Sequence, residues 1–207
     1  LISSLLPIVS FFFLKEKKSG LWVIFFYLIY SLFSDLFLNH IYDKIAPFFG
    51  FRMFTIVEYS AVTYYFYQIL RNTTVRQIVP VISLLFVGYC IYDLISSKFS
   101  HFDSIPVAIE AILIIGFCII VLFEKIKRTD TLFIYSTSDF WIAVSFLIYF
   151  AGTFFLYIYA QNYMNNEKFL NNYNLINSSF VTLRNILIAI AFLIKPKTET
   201  YPIIPSK

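Results

Sequence analysis

The chain has 207 residues, of which 59% are hydrophobic, 21% aromatic and only 14% charged. A soluble domain carries about 25% charged residues, so this chain cannot cover a globule with charge. Its net charge of +4 sits in short clusters between apolar blocks, which is a membrane-topology pattern and not a nucleic-acid surface.

The apolar blocks run to about 20 residues, the length at which a helix crosses a bilayer. They do not alternate apolar with polar residues as barrel strands do, and only helices and closed barrels satisfy their backbone in lipid. The fold class expected is therefore all-α: a polytopic transmembrane bundle of about seven helices. In chain order, the first block, residues 1–14, is short for a crossing and does not begin with Met, so its helix is expected to continue upstream. It has no basic leader and no small-residue cleavage site, and does not read as a signal peptide. The second block, 21–38, opens near Trp22 and carries Asp35, with His40 just beyond it. The third, 52–70, includes "FTIVEYSAVTYYFYQIL", whose one charge is Glu58. The fourth, 77–96, holds Cys90 and Asp93, and His101 follows it; the fifth, 104–123, holds Glu110 and Cys118. The sixth, 140–160, follows "STSDFW", where Ser138 or Asp139 is expected to cap the helix. The seventh, 174–194, carries Arg184 and Asn185.

Two cysteines inside apolar blocks make no disulfide framework and read as small core residues. The connections are short, so residues 1–195 read as a single transmembrane domain and 196–207 as a short cytoplasmic tail, with no catalytic or signalling module. "NTT" at Asn72 and "NSS" at Asn177 match a glycosylation pattern, but one is expected in the cytoplasm and the other within a helix. One set of connections holds Lys15, Lys17, Lys18, Arg71, Arg76, Lys125, Lys127, Arg128, Lys195, Lys197 and Lys207; the other holds Lys44, Arg52, Lys98 and Lys168. The positive-inside rule assigns the first set to the cytoplasm, with the N-terminus outside and the C-terminus inside. Trp22 and Trp141 then lie at cytoplasmic helix ends, where interfacial aromatics belong.

In this topology the intramembrane acids share a level. At about 1.5 Å per residue, Asp35 and Asp93 lie roughly 6 Å, and Glu58 and Glu110 roughly 9 Å, below the outer ends of their segments. Helical side chains lean toward their own N-terminus, so the two Asp lean inward, the two Glu lean outward, and the four converge. The series Asp35, His40, Glu58 and the series Asp93, His101, Glu110 follow the same order, as a weak internal duplication or chance would produce. Arg184 lies about 15 Å in. With Asn174, Asn177, Ser178 and Asn185 it falls within about 120° of one helical face, so this stripe is expected to face protein or a wet cavity. A mid-membrane Arg without a partner costs between about 3 and more than 10 kcal/mol; Glu58 or Glu110 is its partner by depth. Two readings follow: a structural ion pair that sets helix register, or a polar cavity, open outward, lined by Asp35, Glu58, Asp93, Glu110, Arg184 and Asn185. In the second, four carboxylates cannot all stay ionised against one Arg, and at least one is expected to carry a proton or to hold a cation.

No phosphate-binding glycine loop and no nucleophile elbow appear, and no cofactor is implied. Seven-helix metal hydrolases carry paired His on a late helix, whereas this chain has only His40 and His101; with acids they could supply the three or so ligands a catalytic zinc needs, and they read more simply as interfacial loop residues. A retinal protein needs a buried Lys in its last helix, and none precedes Lys195 here.

The series "FTIVEYSAVTYYFYQIL", "DFWIAVSFLIYFAGTFFLYIYA" and "NSSFVTLRNILIAIAFL" resembles a family of small seven-helix inner-membrane proteins of Bacteroidota, through Glu58, Phe140–Trp141, the Tyr149-to-Gly152 stretch and Arg184–Asn185. Those proteins have no established activity and are similar to the membrane sensor part of some histidine kinases. The resemblance implies a multi-pass protein of a bacterial inner membrane, in contact with lipid and with a histidine kinase or another membrane protein. The expected function is a receptor-like or accessory protein that binds a small ligand or ion and signals through a partner chain. A small proton- or cation-coupled transporter is the alternative, and an intramembrane lipid hydrolase the third reading. Little polarity continues inward beyond Arg184, which favours the receptor over a carrier.

Overall fold

The computed structural model describes residues 2–14, 18–41, 47–96, 104–127, 134–163 and 166–194. They form seven helices: α1 (Ile2–Phe12), α2 (Ser19–Ile41), α3 (Pro47–Ile69), α4 (Thr73–Ser96), α5 (Ser104–Ile126), α6 (Ser138–Tyr163) and α7 (Glu167–Leu193), with one turn of 3-10 helix at Ile134–Ser136 and no strand among the described residues. Most helices outrun their apolar blocks. α7 starts two turns early at Glu167 because Asn166 caps it, its side chain accepting from the amides of Lys168 and Phe169, and because Glu167 complements the positive end of the helix dipole.

Five helices, α2 and α4–α7, are long and apolar enough to cross a membrane. α3 matches them in length at 23 residues but carries Arg52, Glu58 and several tyrosines along its core face. α1, at 11 residues, reaches about 16 Å, half a bilayer. The polarity is inside out. Phe26, Phe33, Leu84, Leu85, Ile112, Ile119 and Phe155 stand exposed, whereas Arg184, Glu58 and Glu110 are 2%, 3% and 1% exposed. A soluble protein rarely shows so much contiguous apolar surface; lipid is the solvent that this surface fits, and the chain is a multi-pass membrane protein.

Six helices pack as a ring in the order α1, α2, α3, α5, α6, α7 and back to α1. α4 lies outside it against α3, burying only Val79, Phe86 and Cys90. The repeated order of acids in the two helix pairs is thus not matched by a repeat in packing, since α2 is in the ring and α4 is not. Chain direction alternates. At one end of the bundle Lys125 Nζ meets Asp139 Oδ2 at 2.8 Å, Tyr65 donates to Asp139 Oδ1 at 2.8 Å, and the amides of Arg71 and Asn72 donate to Glu124 at 3.1 and 3.2 Å. At the other end Arg52 Nη2 meets Asp93 Oδ2 at 3.3 Å. Asp139, expected as a helix cap, therefore ties α6 to α3 and α5 with its side chain; a lysine and a phenol at the membrane edge bind a carboxylate better than first-turn amides do.

The ring interior between the basic end and mid-membrane is aromatic. Phe146 lies 5.9 Å from Tyr27, 6.4 Å from Phe66 and 6.4 Å from Phe150, centroid to centroid, within the range of favourable ring pairs. Phe11 of α1 sits against Phe25 at 4.2 Å and Phe192 at 5.3 Å, closing the ring where α1, α2 and α7 meet. The α6–α7 contact depends on Gly152: a Cβ there would come within 2.2 Å of the Phe180 ring. Small residues at membrane helix interfaces permit such close approach. Gly152→Ala is expected to lower the thermal midpoint in detergent, at about 1–3 kcal/mol of overpacking, and Phe180→Ala is expected to restore part of the loss; an unchanged midpoint for Gly152→Ala would show that α6 and α7 do not pack this closely.

Candidate functional site

The residues that face the ring interior come in helical stripes that are largely polar. On α2, Tyr27, Ser31, Ser34 and Asp35 share a face; on α3, Phe51, Thr55 and Glu58; on α7, Tyr173, Asn177, Val181 and Arg184. With Val107 and Glu110 of α5 and Tyr149, Phe150 and Tyr157 of α6, these stripes, Tyr27 excepted, enclose a cavity of about 120 Å³. It occupies the half of the bundle where α2 and α6 end and α3, α5 and α7 begin.

The floor of the cavity is a three-helix link. Arg184 of α7 crosses the ring and its Nη1 meets Glu58 Oε1 of α3 at 3.1 Å. The same Nη1 donates at 2.6 Å to the hydroxyl of Tyr27 on α2, and that hydroxyl donates a short hydrogen bond to Glu58 Oε1. The guanidinium also lies over the rings of Tyr149, at 4.6 Å, and Tyr27, at 5.5 Å. A cation over an aromatic face gains about 2 kcal/mol when desolvated, so the rings add to what Glu58 supplies. Above the floor, Tyr149 and Tyr157 hydroxyls lie 3.0 Å apart and Tyr157 donates to Asn177 Oδ1 at 3.2 Å, which ties α6 to α7 along the cavity wall.

Of the sequence-derived candidates, Asp35, Glu58, Glu110 and Arg184 all line this cavity. Glu58 is the acid that Arg184 selects. Glu110 is buried with no hydrogen bond to its Oε1 among the described residues. Asp93 lies elsewhere. Because α4 packs outside the ring, Asp93 faces Arg52, which also donates to its backbone carbonyl at 3.2 Å, so the expected convergence of four carboxyls reduces to three. Asn185 also turns away: its Nδ2 donates to the hydroxyls of Ser3 and Ser4 at 3.2 and 3.3 Å and so fastens α1 to α7, with a long contact of 3.5 Å from Arg184 Nη2 to its Oδ1. The expected polar face of α7 is split for the same reason. Arg184 and Asn185 point to different neighbours, Asn177 lines the cavity, and Asn174 and Ser178 are exposed. The His40 side chain and His101 lie outside the described residues.

Tyr27, Ser31, Ser34, Tyr149, Tyr157 and Tyr173 were not among the sequence candidates. Their signal was present as helical spacing, Tyr27–Ser31–Asp35 above all, but a tyrosine or serine can enter lipid at modest cost and so does not declare its face. Compared with family models, with curated proteins and with solved structures, the chain finds no match in any of the three.

The floor geometry makes a sharp demand on mutational coupling. Arg184→Ala is expected to lose about 3–5 kcal/mol, since it leaves a buried charge unpaired. Glu58→Gln in the Arg184→Ala background should recover part of it, and Glu110→Gln should recover less, as read from thermal unfolding. Equal recovery by both would show that Arg184 does not choose between them.

Proposed function

We propose that this is a receptor-like or accessory protein of a bacterial inner membrane that takes a small ligand or ion from the outer side into the acidic cavity and passes the change to a partner chain. The observation that carries the reading is the state of Glu110. Its Oε1 is buried without a partner among the described residues, while the Arg184 guanidinium beside the same cavity is engaged by Glu58 and Tyr27. An ionisable group inside a membrane is retained at a cost and marks a functional site by default.

Orientation follows from charge. Lys18, Arg71, Arg76, Lys125 and Lys127 lie at the bundle end away from the cavity, and Arg52 and Lys168 toward the cavity end. The positive-inside rule then turns the cavity outward, with the N-terminus outside and the C-terminus in the cytoplasm. Transport is the weaker reading, because the aromatic rings of Phe66 and Phe146 pack into the ring interior below Arg184. A sensor needs no route onward. Filling the cavity changes the demands on Glu58 and Arg184, and Tyr27 and Arg184 sit on α2 and α7, the two helices that hold α1. The family that the sequence resembles is itself similar to the membrane sensor part of some histidine kinases, and such a kinase is the partner we propose.

The test uses Ser34, which lines the cavity, in a background lacking Cys90 and Cys118. Ser34→Cys is expected to react with a membrane-impermeant thiol reagent in intact spheroplasts and not in inverted vesicles, and a reporter fused at Lys127 to read cytoplasmic. Reaction from the inner side alone would reverse the orientation. Absence of reaction from both sides would remove the open cavity, and with it the receptor reading.

A further inference from the structure

The cavity has more acid than it can neutralise, and its walls say what kind of charge would complete it. Three carboxyls line it, from Asp35, Glu58 and Glu110, against the one guanidinium of Arg184. Glu58 and Arg184 are matched to each other at 3.1 Å. Asp35, partly buried, and Glu110, buried with an Oε1 that no described residue partners, have no second cation among the described lining residues, so each carries a proton or meets a cation from outside.

An inorganic cation is a poor fit. Hard ions take about six to eight oxygen ligands in a compact cage, and among the described residues no group of three His, Cys, Asp or Glu side chains is placed to hold a metal ion. The remaining wall is largely aromatic, with Phe54, Tyr149, Phe150, Tyr157 and Tyr173 facing the same space as the acids. Carboxylates combined with aromatic faces are the surroundings that alkylammonium groups prefer, since the cation gains from both the charge and the ring quadrupoles. The cavity already holds one cation in this manner, the Arg184 guanidinium 4.6 Å over Tyr149. Size narrows the class further. A volume of about 120 Å³ corresponds to roughly four waters, enough for a compact ammonium of a few heavy atoms and too little for a long polyamine.

We infer that the cavity binds a small organic cation, a compact primary or quaternary amine, with Glu110 and Asp35 as its counter-charges and the aromatic wall around its methyl or methylene groups. This inference rests on the reading of the cavity as an outward-opening site, and the experiment separates the two.

The reporter is again Ser34→Cys without Cys90 and Cys118, labelled from outside in spheroplasts. Tetramethylammonium and choline chlorides are expected to slow the labelling in a saturable way. Sodium chloride at the same concentration, and the uncharged analogue of choline with carbon in place of the quaternary nitrogen, are expected not to. Glu110→Gln should raise the half-protecting choline concentration by at least about tenfold, as loss of a buried counter-charge does. Asp35→Asn, at a less buried position that tolerates substitution more readily, should raise it by a smaller factor; an unliganded labelling rate like that of the parent certifies that each variant is folded. Labelling that no cation slows would overturn the ligand class while leaving the outward cavity intact. Equal protection by the uncharged analogue would make the ligand apolar, and protection by sodium alone would make it an inorganic ion; either result sinks the inference. No labelling from outside would end the cavity reading and the inference together.

Discussion

The link among Arg184, Glu58 and Tyr27 is the constraint on which the rest of this bundle depends. A guanidinium in the middle of a membrane must be met by a counter-charge, because hydrocarbon offers it nothing. Arg184 sits nine residues, or about 14 Å, from the end of α7. Its partner sits on α3, which is not a ring neighbour of α7, so the pair reaches across the lumen and draws α2 in through Tyr27. A polar centre of this kind is not mainly a source of stability, since a buried pair roughly breaks even against desolvation. Its effect is to specify register: only one rotation and one depth of α2, α3 and α7 satisfy it.

The cavity follows from the same link. The long Arg184 side chain and the glutamate hold the lumen open on one side of the pair, where Ser31, Ser34 and Thr55 offer small polar side chains, while on the other side Phe66 and Phe146 fill it. The bundle is therefore asymmetric along its axis, with a polar-lined cavity in one half and aromatic packing in the other. The described turns of α1 pack against the aromatic half. Ser3 and Ser4 meet Asn185 near mid-membrane, and Phe11 meets Phe192 near the basic end. Asn185 and Arg184, adjacent in sequence and so about 100° apart around the helix, thus serve different neighbours: one secures α1, the other forms the cavity floor.

The outer position of α4 explains the fate of Asp93. An acid on a helix outside the ring has no access to the lumen. It pairs instead with Arg52 in the second turn of α3, at a depth where side chains can reach the headgroups. The two ion pairs are unlike in kind. Arg52–Asp93 leaves its carboxylate 30% exposed and fastens a peripheral helix, whereas Arg184–Glu58 is 2% and 4% exposed and organises the centre.

Depth is a one-dimensional property, and the sequence alone determined it: the number of helices, their order, the side on which basic residues gather, the common level of the acids, and the need of Arg184 for one of two glutamates. Each follows from helical rise and the high cost of charge in lipid, which hold for any packing of the helices. Azimuth is different. Which way Asp93, Asn185 or Asp139 turns depends on which helix stands beside it, and apolar blocks this uniform carry almost no rotational signal when lipid and protein core are equally apolar. Only the tertiary structure decided that α4 stands outside the ring, that Glu58 and not Glu110 meets Arg184, and that Tyr27 bridges them. Glu110 Oε1 is buried at the cavity with no hydrogen-bond partner among the described residues for the same reason: its depth was set by its place in the chain, and its surroundings by the four other helices that line the cavity.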